Sequence, residues 1–284
     1  KLFVVKEKKK IVVPFLKWVG GKRQLIHAIE KHLPDDINNY TYIEPFIGGG
    51  ALFFHLQPQN AVISDFNEEL INVYRVIRNS PMELLSDLEI HKNEAEYFYQ
   101  IRSLDRSSNF KDLPDVKRAS RFIFLNKTCF NGLYRVNAAG EFNVPFGRYK
   151  SPNMVNKQTI RAVSKFLNSN NISIYSKDYR QVLKSADINS FVYLDPPYHP
   201  LSVSSNFTGY VQGGWNAGDQ ENLKKSCDDL DKRGIKFLLS NSATPFIKDL
   251  YKDYLITIVK ATRAINSKGT ERGAIDEVLV RNYE

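Results

Sequence analysis

Short apolar runs that end on an acidic or polar residue recur along the chain, separated by stretches of helical periodicity. Tyr40 to Glu44 reads as a strand, Gly48-Gly49-Gly50 as a tight loop, and Ala51 to Leu56 as the start of a helix. Ala61 to Ser64 is a second strand, closed by Asp65, and a helical stretch follows from Glu68 to Val76. Upstream, Arg23 to Leu33 has the spacing of an amphipathic helix and stops at Pro34. Strand signals return at Ile172 to Tyr175, ending near Asp178, at Phe191 to Leu194 before Asp195, and at Lys236 to Ser240 before Asn241. Leu255 to Lys260 and Glu277 to Asn282 predict a closing antiparallel pair around a polar loop. Strand and helix in alternation predict an α/β fold.

The middle of the chain breaks this rhythm. Glu94 to Leu104 and Val116 to Cys129 read as helices. Leu133 to Val136 and Glu141 to Val144 then flank the turn Asn137-Ala138-Ala139-Gly140, which predicts a β-hairpin. The simplest organisation is a discontinuous sheet domain, residues 1–79 and 159–284, interrupted by an insertion over residues 80–158.

The 284 residues are 42% hydrophobic and 25% charged, the mix of a globular protein. Apolar runs are too short to cross a bilayer, and Lys1 to Lys10 holds no stretch long enough for a signal peptide. Cys129 and Cys227 lie far apart, which favours a reducing interior over a disulfide; a cytoplasmic setting is expected. Two cysteines and five histidines without an HExxH pattern predict no metal. Net charge is +9, and residues 101–150 carry ten Lys or Arg against four Asp or Glu, a local excess of six. Such concentration suggests a surface facing nucleic-acid phosphates, the alternative being a basic face that only keeps the protein soluble.

Phe46-Ile47-Gly48-Gly49-Gly50 follows a strand and opens a helix, so a ligand can approach the backbone at the strand's carboxyl end. Phe53 stands where a dinucleotide fingerprint has its third glycine, which disfavours NAD and suits a smaller nucleoside. Asp65, at the next strand end, can accept two ribose hydroxyls. Taken alone, a glycine turn is also simply a turn. Gly21-Lys22 is no triphosphate-binding loop, because Leu16 replaces its first glycine and Arg23 its Ser or Thr. Trp18 either covers a ligand or packs as a half-buried side chain.

Asp195-Pro196-Pro197-Tyr198, directly after Val192-Tyr193-Leu194, is the most specific pattern in the chain. The amino group of a purine is a poor nucleophile, since its lone pair is delocalised into the ring. Two acceptors aimed at its N–H groups draw the nitrogen toward tetrahedral geometry and stabilise the developing positive charge. A carboxylate and a conformationally fixed proline carbonyl supply those acceptors, and Tyr198 offers a flat face to an extruded base.

With these residues assembled, the chain resembles the DNA adenine methylase family that modifies GATC sites, from Lys17-Trp18-Val19-Gly20-Gly21-Lys22 to the terminal strand. The resemblance implies a doubly wound, Rossmann-like S-adenosylmethionine-dependent methyltransferase sheet with a helical and β-hairpin DNA-recognition insertion. It implies cofactor contacts at Trp18, Lys22, Glu44, Pro45, Phe46, Gly48, Gly49, Gly50, Asp65, Asp178, Tyr179 and Asp195, with Asp65 on the ribose and Asp178 on the cofactor's adenine. It implies double-stranded DNA as partner, with Lys17 and Arg135 each reading a guanine and Leu133 and Pro145 near the thymine methyl. Phe130 would enter the stack as adenine leaves, while Asn131, Asn137, Arg148 and Tyr149 complete the surface. A companion restriction nuclease acting on the same site, without a stable complex, is compatible with this picture. Rival readings are cytosine N4 methylation, methylation of RNA or of protein glutamine, and a DNA-binding protein that keeps the fold without activity. The intact tetrad speaks against the last.

Overall fold

The computed structural model describes residues 11–18, 25–200, 214–262 and 274–284. The elements run α1 (Ile26–Glu30), β1 (Thr41–Glu44), α2 (Ala51–Leu56), β2 (Asn60–Ser64), α3 (Glu68–Asn79), α4 (Pro81–Leu88), α5 (Ala95–Ser103) and α6 (Asp115–Thr128). Then come α7 (Lys157–Ser169), β3 (Asn171–Tyr175), α8 (Tyr179–Lys184), β4 (Ser190–Leu194), α9 (Ala217–Lys232), β5 (Lys236–Ser242), α10 (Pro245–Leu250), β6 (Leu255–Thr262) and β7 (Ala274–Arg281).

Seven strands form one sheet in the order β3-β2-β1-β4-β5-β7-β6. The first five are parallel, and β7 enters antiparallel between β5 and β6. The chain leaves β1 toward β2 and β3 and returns to β4 on β1's other side. A crevice therefore opens between β1 and β4 at their carboxyl ends, where open α/β sheets bind ligands.

Period-two alternation divides the strands' side chains between two cores. Tyr42, Ile63, Phe191 and Tyr193 join the layer of α2, α3, α6 and α7. Ile43, Val192, Leu194, Phe237 and Leu239 join the layer of α8, α9 and α10. Every residue of β4 is buried, as expected of a central strand covered on both faces. The helix α3 shows why these segments are helical. Leu70, Ile71, Val73, Tyr74 and Ile77 make one buried stripe, the Asn67 side chain caps Leu70 N at 3.1 Å, and Glu68 and Glu69 complement the dipole.

Residues 80–156 supply α4, α5, α6 and a long loop with its own small core of Phe98, Phe124, Leu125, Cys129, Phe142 and Val144. One expectation is corrected here. The hairpin is not a strand ladder: its arms meet through isolated bridges, Val136 with Phe142 and Cys129 with Phe146. The arms share two backbone bonds, Asn137 N to Glu141 O at 2.9 Å and Asn143 N to Arg135 O at 3.0 Å. The outward Phe142 N–H goes to Asp105 Oδ2 and its carbonyl accepts from Arg106, each at 2.8 Å, so the short hairpin is also fastened to the helical part. The first helix begins at Ile26, and the part of the expected helix before Leu25 lies outside the described residues.

Candidate active site and recognition surface

Four acids reach one edge of the sheet because four parallel neighbours end there: Glu44 on β1, Asp65 after β2, Asp178 after β3 and Asp195 after β4. Glu44 is 3% exposed and accepts from the Tyr42 hydroxyl at 2.7 Å. Burial pushes its carboxyl well above the usual range; the Tyr42 hydrogen bond opposes this, and the charges of Asp195 and Asp65 add to it. Asp65 accepts the Gly48 and Asn67 amides, each at 3.0 Å, and burial still raises its pKa against these bonds.

Gly48 and Gly50 have φ of +47° and +69°, conformations costly for other residues. The loop is fastened by Tyr74, whose hydroxyl donates to the Gly48 carbonyl at 3.0 Å, and by Ile47 N on Ser64 O at 2.9 Å. Pro45 is buried within the same segment. A methyl group on Gly48 would lie 2.6 Å from Trp18 Nε1, so the glycines also admit the indole. Trp18 in turn stacks on Tyr134 at 5.7 Å and 21°, and Tyr134 on Phe122 at 5.3 Å. Trp18 is thus both a packing residue and a neighbour of the loop. Phe46 and Tyr179 lie 5.2 Å apart with Trp215 beside them. Asp178 caps α8 through Arg180 N, and the Arg180 guanidinium grips both carboxylate oxygens at 2.8 and 2.9 Å, holding the acid below its usual range. Lys22 lies outside the described residues.

The Asp195-Pro196-Pro197-Tyr198 turn leaves β4 at the mouth of the crevice. Ser240 Oγ donates to Asp195 Oδ1 at 2.9 Å and lies 3.2 Å from the Tyr193 hydroxyl. The Tyr198 hydroxyl donates to Glu277 Oε2 at 2.8 Å, tying the ring to β7. His199, given no role by the sequence, is a clasp: its ring meets Thr244 Oγ1 at 3.1 Å and stacks on Phe246. A carboxylate and a rigid backbone beside a tethered aromatic ring can polarise an amino group held against that ring.

The residues expected to face DNA fall into two groups. Lys17, Phe130, Asn131, Pro145 and Tyr149 make one cluster. Lys17 Nζ lies 4.4 Å over the Tyr149 ring, Asn131 N donates to the Tyr149 hydroxyl at 2.9 Å, and Phe130 N donates to Pro145 O at 2.8 Å. Phe130 is 50% exposed, an unusual placement for phenylalanine. Arg135 projects from the loop beyond, its Nε on Asn143 Oδ1 at 2.7 Å, with Leu133 half-buried nearby and Arg148 exposed at φ +55°. Asn137 behaves otherwise. Its Oδ1 takes two backbone amides and its Nδ2 binds Glu141, so the side chain builds the turn.

The concentrated positive charge is also more structural than expected. Arg118 binds Glu69 at 2.6 Å, Lys111 binds Glu68 and Glu69, Lys117 pairs with Asp87, and buried Arg121 pairs with Asp105 at 2.8 Å. These bonds hold α6 to its neighbours. Sequence reasoning missed the residues that position others: Tyr74, Ser240, Glu277 and Asn126, which receives Lys17 N at 2.8 Å and donates to Lys17 O at 2.6 Å. No local pattern marks them, because their partners lie far away in sequence.

A Rossmann-like sheet with a glycine loop after β1, acids at successive strand ends and an Asp-Pro-Pro-Tyr turn defines an α/β methyltransferase. Residues 18–265 match the family model of the D12 class N6 adenine-specific DNA methyltransferases, and the chain belongs to that family. It is 46% identical to the type II methyltransferase M1.LlaDCHI of Lactococcus lactis subsp. cremoris, covering 95% of each chain. Identity is 44% to the type II methyltransferase M.MjaIII of Methanocaldococcus jannaschii, over 96% of this chain and 99% of the relative. It is 35% to the DNA adenine methylase of Escherichia coli K12, over 93% of each. Membership makes the protein an adenine-specific DNA methyltransferase and implies S-adenosylmethionine as methyl donor. The acids fit such a donor. Asp65 and Asp195 both raise the buried Glu44 carboxyl, and a cationic ligand with ribose hydroxyls would offset that effect and use the acceptors. No helix among the described residues is long and apolar enough to cross a membrane.

Proposed function

We propose that the protein methylates N6 of an adenine flipped out of double-stranded DNA, within the sequence GATC. Residues 1–79 and 159–284 would form the catalytic unit and residues 80–158 the target-recognition unit. The observation that carries this reading is the Asp195-Pro196-Pro197-Tyr198 turn at the crevice between β1 and β4, with three further acids on the same edge.

Bound S-adenosylmethionine supplies a methyl group on a sulfonium centre. Asp65 accepts its ribose hydroxyls, Phe46 and Tyr179 flank its adenine, Asp178 receives the adenine amino group once Arg180 yields, and Glu44 faces its positive charge. Trp18, Pro45 and the three glycines shape the loop beneath, and Lys22 completes the set. Tyr198 stacks on the extruded base, while the Asp195 carboxylate and the Pro196 carbonyl accept its N6 hydrogens. Lys17 and Arg135 read one guanine each, since both donate to guanine's major-groove acceptors. Leu133 and Pro145 meet the thymine methyl, Phe130 fills the space the adenine leaves, and Asn131, Arg148 and Tyr149 contact backbone or flanking bases. Asn137 contributes by shaping the turn. Likeness to type II methyltransferases extends the reading to a companion nuclease on the same site, acting in the same cytoplasm without a stable complex.

The decisive experiment exposes a plasmid to the enzyme, challenges it with methylation-sensitive nucleases and identifies the modified base by mass spectrometry. Protection at GATC with N6-methyladenine is expected. N4-methylcytosine, or protection elsewhere only, would overturn the assignment.

A further inference from the structure

The catalytic turn offers two proline carbonyls, and the fold has already engaged one. Gln220 Nε2, on the first turn of α9, donates to the Pro197 carbonyl at 2.9 Å. Its Oε1 accepts from Asn241 Nδ2, at the end of β5, at 3.0 Å. Asn241 Oδ1 accepts the His199 amide at 3.0 Å and the Ser242 amide at 2.9 Å. Both amide side chains are fully buried. Turning either one over would set oxygen against oxygen or N–H against N–H, so the chain of bonds has a single direction. Among the described residues, none donates to the Pro196 carbonyl.

A buried glutamine is seldom needed for packing, because a leucine or methionine fills the same volume without polar atoms to satisfy. Here two buried amides reach from two different elements to both sides of Tyr198, to Pro197 O and to His199 N. We propose that Gln220, oriented by Asn241, is a positioning residue for methyl transfer. It holds the Pro197 carbonyl away from the substrate, leaving the Asp195 carboxylate and the Pro196 carbonyl as the acceptor pair for the adenine amino group. The inference rests on the reading of the Asp-Pro-Pro-Tyr turn given above.

The test uses the full chain, plasmid DNA and tritiated S-adenosylmethionine, and compares Gln220→Glu and Gln220→Met with the parent in single-turnover rate and cofactor affinity. An ionised glutamate cannot donate to Pro197 O, whereas a protonated one can. At about pH 8.5 the Gln220→Glu rate should fall about ten- to a hundredfold, with cofactor affinity held within about twofold. Its rate relative to the parent should then climb as pH is lowered toward about 6, because burial keeps the new carboxyl neutral there. Gln220→Met should be slowed to a similar degree at every pH. Normal rates in both variants, a Gln220→Glu deficit unchanged by pH, or a loss matched by equally weakened cofactor binding would each overturn the proposal. Should the charge prevent Gln220→Glu from folding, the kcat-against-KM split of Gln220→Met decides alone. Asp195→Ala, run in parallel, separates the two levels: a dead Asp195→Ala beside a normal Gln220 pair rejects only this inference, and an active Asp195→Ala rejects the reading of the turn itself.

Discussion

The sheet edge and the inserted helices treat charge in opposite ways. At the edge, Glu44 is buried beside Asp65 and Asp195, and burial together with their charges raises its carboxyl. In the insertion, Arg118, Arg121, Lys111 and Lys117 each find a carboxylate. A perturbed acid at the sheet's ligand-binding edge marks a place for chemistry, and charge matched by a neighbouring carboxylate marks a place held by the fold. Counting lysines and arginines along the sequence therefore overstates how much of the insertion faces DNA. The exposed remainder of the insertion includes Arg135, Arg148 and Lys150.

The sharpest way to break this contrast is at the edge. Asp195→Ala should lower methyl transfer about a thousandfold or more while cofactor affinity changes only a few-fold, read by tritium transfer and equilibrium binding. Retained turnover would remove the carboxylate from the chemistry. Within the insertion, Arg121→Met should destabilise the protein by about 3 kcal/mol, because it strips a buried partner from Asp105. Thermal unfolding checks this, and an unchanged melting temperature would show that the pair is not structural. Arg135→Ala should relax discrimination at one guanine by about 1–3 kcal/mol in competition between duplexes. Equal discrimination by both proteins would mean that the loop reads something else.

Smaller effects sharpen the comparison. Burial raises the Glu44 pKa in the free protein, and a cationic ligand favours its ionised form. Cofactor binding should therefore release a proton and tighten as pH rises, by up to about tenfold per unit below that raised pKa. Calorimetry in buffers of different ionisation heat measures the release, and a zero result would detach Glu44 from the ligand. Smallest of all, Arg148→Gln or Lys150→Gln should reduce the salt dependence of DNA binding by about one unit of slope each, without shifting the melting temperature.

Much of the sheet was legible in sequence because strand periodicity and terminal acids are local signals. Phe191 to Leu194 before Asp195 is a continuous apolar run with a polar stop, and it lies where that pattern implies. The insertion was less legible for a physical reason. The segments around residues 133–136 and 141–144 have strand-like composition, yet they pair only around Val136 and Phe142, and the outward-facing Phe142 N–H and carbonyl are taken by Asp105 and Arg106, distant in sequence. Asn137 carries the chemistry of a base reader and uses it inside its own turn. Positioning residues were invisible: Asn126 meets Lys17 across 109 positions, and Glu277 meets Tyr198 across 79. Only the folded chain brings such partners together.

The reversed strand β7 couples closure of the sheet to the setting of the turn after β4. It fills the gap between β5 and β6, and its Glu277 fixes the Tyr198 ring. Any lesion that unseats residues 274–281 would therefore part β6 from the sheet and release the Tyr198 hydroxyl together.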